Sequence, residues 1–96
     1  MSDRTGLRVR RRPDLCIEFV DDEMIVWDDR NQAFSRLNAT ASAVLSCCEE
    51  WNSPAELVEN LTRITGVSRA DASRVVDQCL SDFEDHALVM VERTSH

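Results

Sequence analysis

The sequence predicts an α+β domain of winged helix-turn-helix type, with a three-stranded antiparallel N-terminal sheet followed by three helices. Two observations lead there. Residues 15–37 hold three short strand-like runs separated by Asp-rich turns, and residues 38–86 hold three helix starts, each marked by a capping residue.

The opening run RVRRR, Arg8 to Arg12, is basic and stops at Pro13, whose ring disfavours helix in the residue before it, so an extended or loose arm is expected. LCIEFV, Leu15 to Val20, places Leu15, Ile17 and Phe19 on one face and reads as the first strand. After a turn at Asp21, Asp22 and Glu23, the run MIVW from Met24 to Trp27 is the second strand, and DDRN from Asp28 supplies the next turn. QAFSRL, Gln32 to Leu37, alternates Gln32, Phe34 and Arg36 against Ala33, Ser35 and Leu37. It is short of large apolar residues, as an edge strand would be.

Asn38 caps a first helix over Ala39 to Glu49, with Ala41, Val44, Leu45 and Cys48 at helical spacing. Ser53, Pro54 and Glu56 form a capping box with proline at the first helical position, and Leu57, Leu61 and Ile64 make the stripe of a second helix that Gly66 ends. Ser68 caps the third, which runs to about His86. Its apolar positions, Ala72, Val75, Val76, Cys79, Leu80 and Phe83, form a stripe wider than one contact face needs. Such a stripe is either buried on two sides or awaits a partner. LVMV, Leu88 to Val91, is a candidate short closing strand.

At 96 residues the chain has room for one domain with a modest core and little material for an enclosed catalytic chamber. The net charge of −7 opposes the phosphate attraction that supplies most non-specific nucleic-acid affinity. No apolar stretch approaches a membrane span and no signal-peptide segment opens the chain, so a cytoplasmic location without membrane attachment is expected. Cys16, Cys47, Cys48 and Cys79 lack the CxxC spacing of a zinc site and read as buried thiols. No phosphate loop, nucleophile elbow or Cys–His pair is present, and the carboxylate pairs fall in turns. Neither an enzyme nor a cofactor or metal is expected.

The run DDRNQAFSRLN from Asp28 to Asn38 resembles the signature of the PqqD family, an acidic turn leading to an aromatic-bearing strand that ends in Leu-Asn before a helix. Pro13 fits upstream, and AELV from Ala55, TGV from Thr65 and CLSDFEDHAL from Cys79 resemble later family segments. The resemblance spans roughly Val9 to Val89. Ala41 and Ala87 stand where the family often has glycine, Leu45 where it has tryptophan, and Val75 where it has an acidic residue.

This resemblance implies a RiPP recognition element, a free-standing chaperone that binds the leader of a ribosomally synthesised precursor peptide and presents it to a modifying enzyme. The leader would add as a strand to the edge at Gln32, Ala33, Phe34, Ser35, Arg36 and Leu37. Its side chains would meet the third helix at Ala72, Val75, Cys79 and Phe83, with polar contacts from Gln78, Asp82 and His86 along one face. The implied organisation is a flexible basic arm over 1–12, a leader-binding domain over 13–92 and a tail over 93–96. Implied partners are the precursor leader and a maturation enzyme, either a lasso-peptide leader peptidase or a radical SAM protein, and a homodimer through an exposed edge is possible. The rival is a winged-helix DNA-binding regulator reading DNA with the third helix. Arg69 and Arg74 are that helix's basic groups, against Asp71, Asp77, Asp82, Glu84 and Asp85.

Overall fold

A computed structural model describes residues 6–93. Five strands and three helices run in the order β1 (Leu7–Arg11), β2 (Cys16–Val20), β3 (Glu23–Asp28), β4 (Ala33–Leu37), α1 (Ala39–Ser46), α2 (Pro54–Thr65), α3 (Arg69–Asp85) and β5 (Val89–Arg93). A 3₁₀ turn at Cys47–Glu49 follows α1. The fold is α+β, and the expected meander is present, with β2, β3 and β4 antiparallel in that order.

The sheet account nevertheless needs correction, because a second, two-stranded sheet pairs β1 with β5. Residues 7–11, expected as part of a loose arm, form a strand in which Leu7 and Val9 are buried while Arg8 points out. Alternation between apolar and arginine residues is a strand signal that the charge of the run obscures. Val9 also exchanges backbone hydrogen bonds with Asn52, 2.8 and 3.0 Å, which ties β1 to the loop before α2. Arg93, expected in the tail, closes β5, and the remaining calls on residues 1–5 and 94–96 lie outside the described residues.

The helix starts follow the capping chemistry. Asn38 Oδ1 accepts from the Ala41 amide at 2.8 Å, Ser53 and Glu56 form a reciprocal capping box, and Ser68 Oγ accepts from the Asp71 amide. The end of α3 is a complete Schellman motif. Ala87 takes a left-handed φ of 56°, its amide donates to the Glu84 carbonyl, and the Leu88 amide donates to the Phe83 carbonyl at 2.8 Å. Phe83 and Leu88, which such a motif brings together, are both buried.

One core unites the two sheets and the helices: Val9, Met24, Val26, Val44, Leu45, Leu57, Leu61, Val76, Leu80 and Phe83 are among its most completely buried members. Three expected core residues are not in it. Phe19 lies 59% exposed near the end of β2, Ile64 lies 60% exposed in the last turn of α2, and Cys16 is exposed on β2. Cys48 and Cys79 are buried as expected, and burial pushes the Cys48 thiol up to about 12, so it stays protonated and unreactive.

An ion-pair network fastens β1, β3 and the α3–β5 corner. Buried Arg12 donates to Asp28 at 2.6 Å, to Asp14 at 2.8 Å and to the Ala87 carbonyl at 2.8 Å, while Asn31 Nδ2 donates to Asp28 at 2.7 Å. Every hydrogen-bonding arm of Asp28 is used, and the Arg12 guanidinium holds its carboxyl down at about 2. No helix among the described residues is long and apolar enough to cross a membrane.

Candidate functional site

Among the described residues, strand β4 is the terminal strand of its sheet and pairs with β3 alone. Backbone N–H and C=O groups alternate in direction along a strand, so part of each set on β4 faces away from β3 with no ladder partner. Beside this edge a groove of about 480 Å³ opens between β4 and the C-terminal half of α3. Its lining includes Phe34, Ser35, Arg36 and Leu37 from β4, and Asp82, Phe83 and His86 from the helix end. A second, more apolar stretch of about 380 Å³ continues towards the N-terminal half of α3, between the start of α1 and Arg74, Val75, Gln78 and Cys79. Asn38, Ala41 and Asp82 line both stretches, so the two make one trough along the helix.

Local sequence explains the shape. The side chains of β4 alternate as expected: Ser35 and Leu37 lie half-buried on the inner face, while Phe34 and Arg36 are exposed on the outer. Asn38 ends the strand and turns the chain into α1, which brings the small side chain of Ala41 to the trough floor. The Schellman turn at Ala87 folds Leu88 back under the helix end and closes that end of the groove. On α3 the wide apolar stripe splits between two surfaces. Val76 and Leu80 are fully in the core, Cys79 and Phe83 reach both core and trough, and Val75 is half-buried at the trough wall.

Ten of the thirteen residues expected at a peptide site line this trough: Phe34, Ser35, Arg36, Leu37, Val75, Gln78, Cys79, Asp82, Phe83 and His86. Three do not. Ala72 is completely buried in the core. Gln32 is not in the strand: its φ of 53° breaks the extended run, and its side-chain Nε2 donates back to the Asp29 carbonyl at 2.6 Å, making it turn chemistry. Ala33 begins β4 but lines neither stretch. Phe34, whose aromatic ring would ordinarily be assigned to the core, is 61% exposed beside Trp27 on the neighbouring strand. Asn38, Thr40, Ala41, Arg74 and Leu88 complete the lining and were not expected at the site: α1 brings the first three against α3, Arg74 lies on α3 itself, and the Schellman turn brings Leu88.

The trough's polar groups are oriented by their neighbours. Arg36 is held by Glu23 through two contacts, 2.7 Å from Nε and 2.6 Å from a terminal nitrogen, and Arg74 by Asp71 at 2.8 Å. His86 Nδ1 lies 2.8 Å from the Asp82 carbonyl, an oxygen that can only accept, so that nitrogen carries the proton. None of the described residues form a cluster of metal-ligating side chains.

The family model for coenzyme PQQ synthesis protein D (PqqD) matches residues 23–89, from the first residue of β3 to the first of β5. The chain belongs to the PqqD family. The matched residues include both walls of the trough, β4 and α3. Two solved structures share this PqqD-like fold. One, described as TbiB1 in complex with the TbiA(beta) leader peptide, superposes with a TM-score of 0.72 at 21% identity over 83% of this chain and 93% of that one. The other, described as lasso peptide synthetase B1 complexed with the leader peptide, gives 0.70 at 26% identity over 85% and 96%. No curated protein matches the chain by sequence.

Proposed function

We propose that this PqqD-family chain is a binding module that takes up the leader segment of a ribosomally made precursor peptide as an added strand on β4. The observation that carries the proposal is the unpaired outer edge of β4 set beside a continuous trough on α3. An extended peptide supplies the missing backbone partners, and alternate side chains enter the trough, which divides the work between affinity and discrimination. The two similar solved structures are both complexes with leader peptides, which supports the same role here.

Function then follows from tethering. A leader held on the domain raises the local concentration of the attached core beside a maturation enzyme without any chemistry by the domain itself. Lasso-peptide systems, where that enzyme would be a leader peptidase, are favoured over radical SAM partners by the similar structure of lasso peptide synthetase B1 with its leader peptide. On this reading the protein works in the cytoplasm, as a monomer or a homodimer. Calorimetry with the leader encoded beside this gene tests the proposal. Binding at micromolar Kd or tighter is expected, and failure to bind any neighbouring precursor contradicts it.

The rival is DNA binding, if α2 and α3 act as a helix-turn-helix pair. Of the two arginines on α3, Arg74 is engaged by Asp71, and Asp82, Glu84 and Asp85 crowd the helix end. A surface of that sign repels phosphate. Salt-sensitive retardation of duplex DNA in a gel shift would reverse the ranking.

A further inference from the structure

Asp82 holds a special position among the charged residues of α3. It lines both stretches of the trough, whereas Asp77, Glu84 and Asp85 line neither. Its side chain receives one long hydrogen bond, 3.4 Å from Gln78 Nε2, and no cation pairs with it among the described residues. The two arginines of the trough wall are already committed, Arg36 to Glu23 and Arg74 to Asp71. The imidazole of His86 is turned to the Asp82 backbone carbonyl instead of its carboxylate. Among the described residues, the one carboxylate in the trough lining is therefore the charge there left without a counter-charge.

Two further effects act in the same direction. Asp82 sits in the last turn of a 17-residue helix with no basic residue in that turn, so the negative end of the helix dipole adds to its field. Its neighbours in the lining are mixed: the polar groups Asn38, Gln78 and His86 are interleaved with the apolar side chains of Leu37, Ala41, Cys79 and Phe83. A peptide strand laid on β4 would cover this region and strip water from the carboxylate. A bare apolar side chain above Asp82 would leave a desolvated charge unpaired, whereas a lysine or arginine would compensate it.

We infer that Asp82 is a specificity-determining residue, and that the trough selects extended peptides carrying a lysine or arginine at the position facing it, on the same strand face as the apolar side chains that fill the rest of the trough. The inference rests on the leader-binding reading above and narrows it to a chemical class of leader. It assigns the charge preference to a side chain, where the β4 edge itself is indifferent to sequence.

The test is calorimetry on the full chain, wild type and Asp82→Asn, against the synthetic leader of the neighbouring precursor and a set of leaders with each lysine or arginine changed singly to glutamine. Asp82→Asn keeps the shape of an exposed side chain, and an unchanged melting curve establishes that the fold is intact. The expected result is a loss of about tenfold in affinity for the native leader, with one glutamine leader binding wild type and variant equally. Wild type that binds the leader while Asp82→Asn binds it equally well overturns the inference and leaves leader binding standing. A tight-binding leader that has no basic residue does the same. Wild type that binds no neighbouring leader overturns both.

Discussion

The two ends of the three-stranded sheet's inner surface are built on opposite principles. Where β3 ends, Arg12, Asp14, Asp28 and Asn31 satisfy one another and the Ala87 carbonyl, and Asp28 is almost wholly buried. At the β4 edge, among the described residues, the backbone lacks a ladder partner and Asp82 a counter-charge, and the trough between β4 and α3 is open. The first region joins segments far apart in sequence, since Arg12 and Ala87 are brought together only by the fold. The second leaves its bonding capacity for another molecule. Stability and recognition are thereby separated in space, and substitutions should be sortable into one class or the other.

The largest effect is expected at the closed end. Arg12→Ala removes the cation from a buried carboxylate and should lower the melting temperature by about 10 °C or more, since breaking a buried pair from one side costs far more than the pair's net worth. Circular-dichroism melts check this, and a shift of a degree or two would mean that β1 is held by its ladder alone. The same network predicts an acid transition. Asp28 is held at about 2 when folded, below an ordinary carboxyl near 4. Its contribution is therefore fully present above about pH 4 and is lost as pH falls towards about 2. Melting temperature measured down that range should fall in the wild type more steeply than in Asp28→Asn.

At the open end, Ala41→Trp should fill the trough floor shared by both stretches, weakening leader binding by about tenfold or more with little change in melting temperature. Equal loss of both would place Ala41 in the stability class and blur the comparison. The smallest effect is expected between the two regions. Ala87 holds a left-handed φ of 56°, so Ala87→Gly should relieve about 1 kcal/mol of backbone strain and raise the melting temperature by roughly 4–8 °C without altering leader affinity.

Much of this was legible in the sequence. Asn38, Ser53 with Glu56, and Ser68 announced the helix starts because capping is local chemistry, and QAFSRL announced an edge strand through its alternation. The resemblance in Asp28 to Asn38 pointed to the family and implied a site on β4 and α3, and ten of the thirteen residues so implied line the trough. What failed was non-local. The basic run at Arg8 hid a strand because its partner β5 lies some eighty residues away. Ala72 and Ile64 sat on the right stripes, but which part of a stripe is covered depends on where neighbouring elements end. Gln32 was misplaced because a left-handed turn residue looks, in sequence, like one more alternating polar position. Ala41, Thr40 and Leu88 reach the trough only through the crossing of α1 and the Schellman turn, which no pattern in their own segments encodes.

The claim that the β4 backbone edge receives the leader can be tested on the peptide alone, by moving an N-methyl group along a synthetic leader and measuring affinity at each position. Strand addition predicts that every second N-methyl amide over a stretch about as long as β4 weakens binding tenfold or more, since alternate N–H groups face the edge. Tight binding that tolerates N-methylation at every position would contradict it.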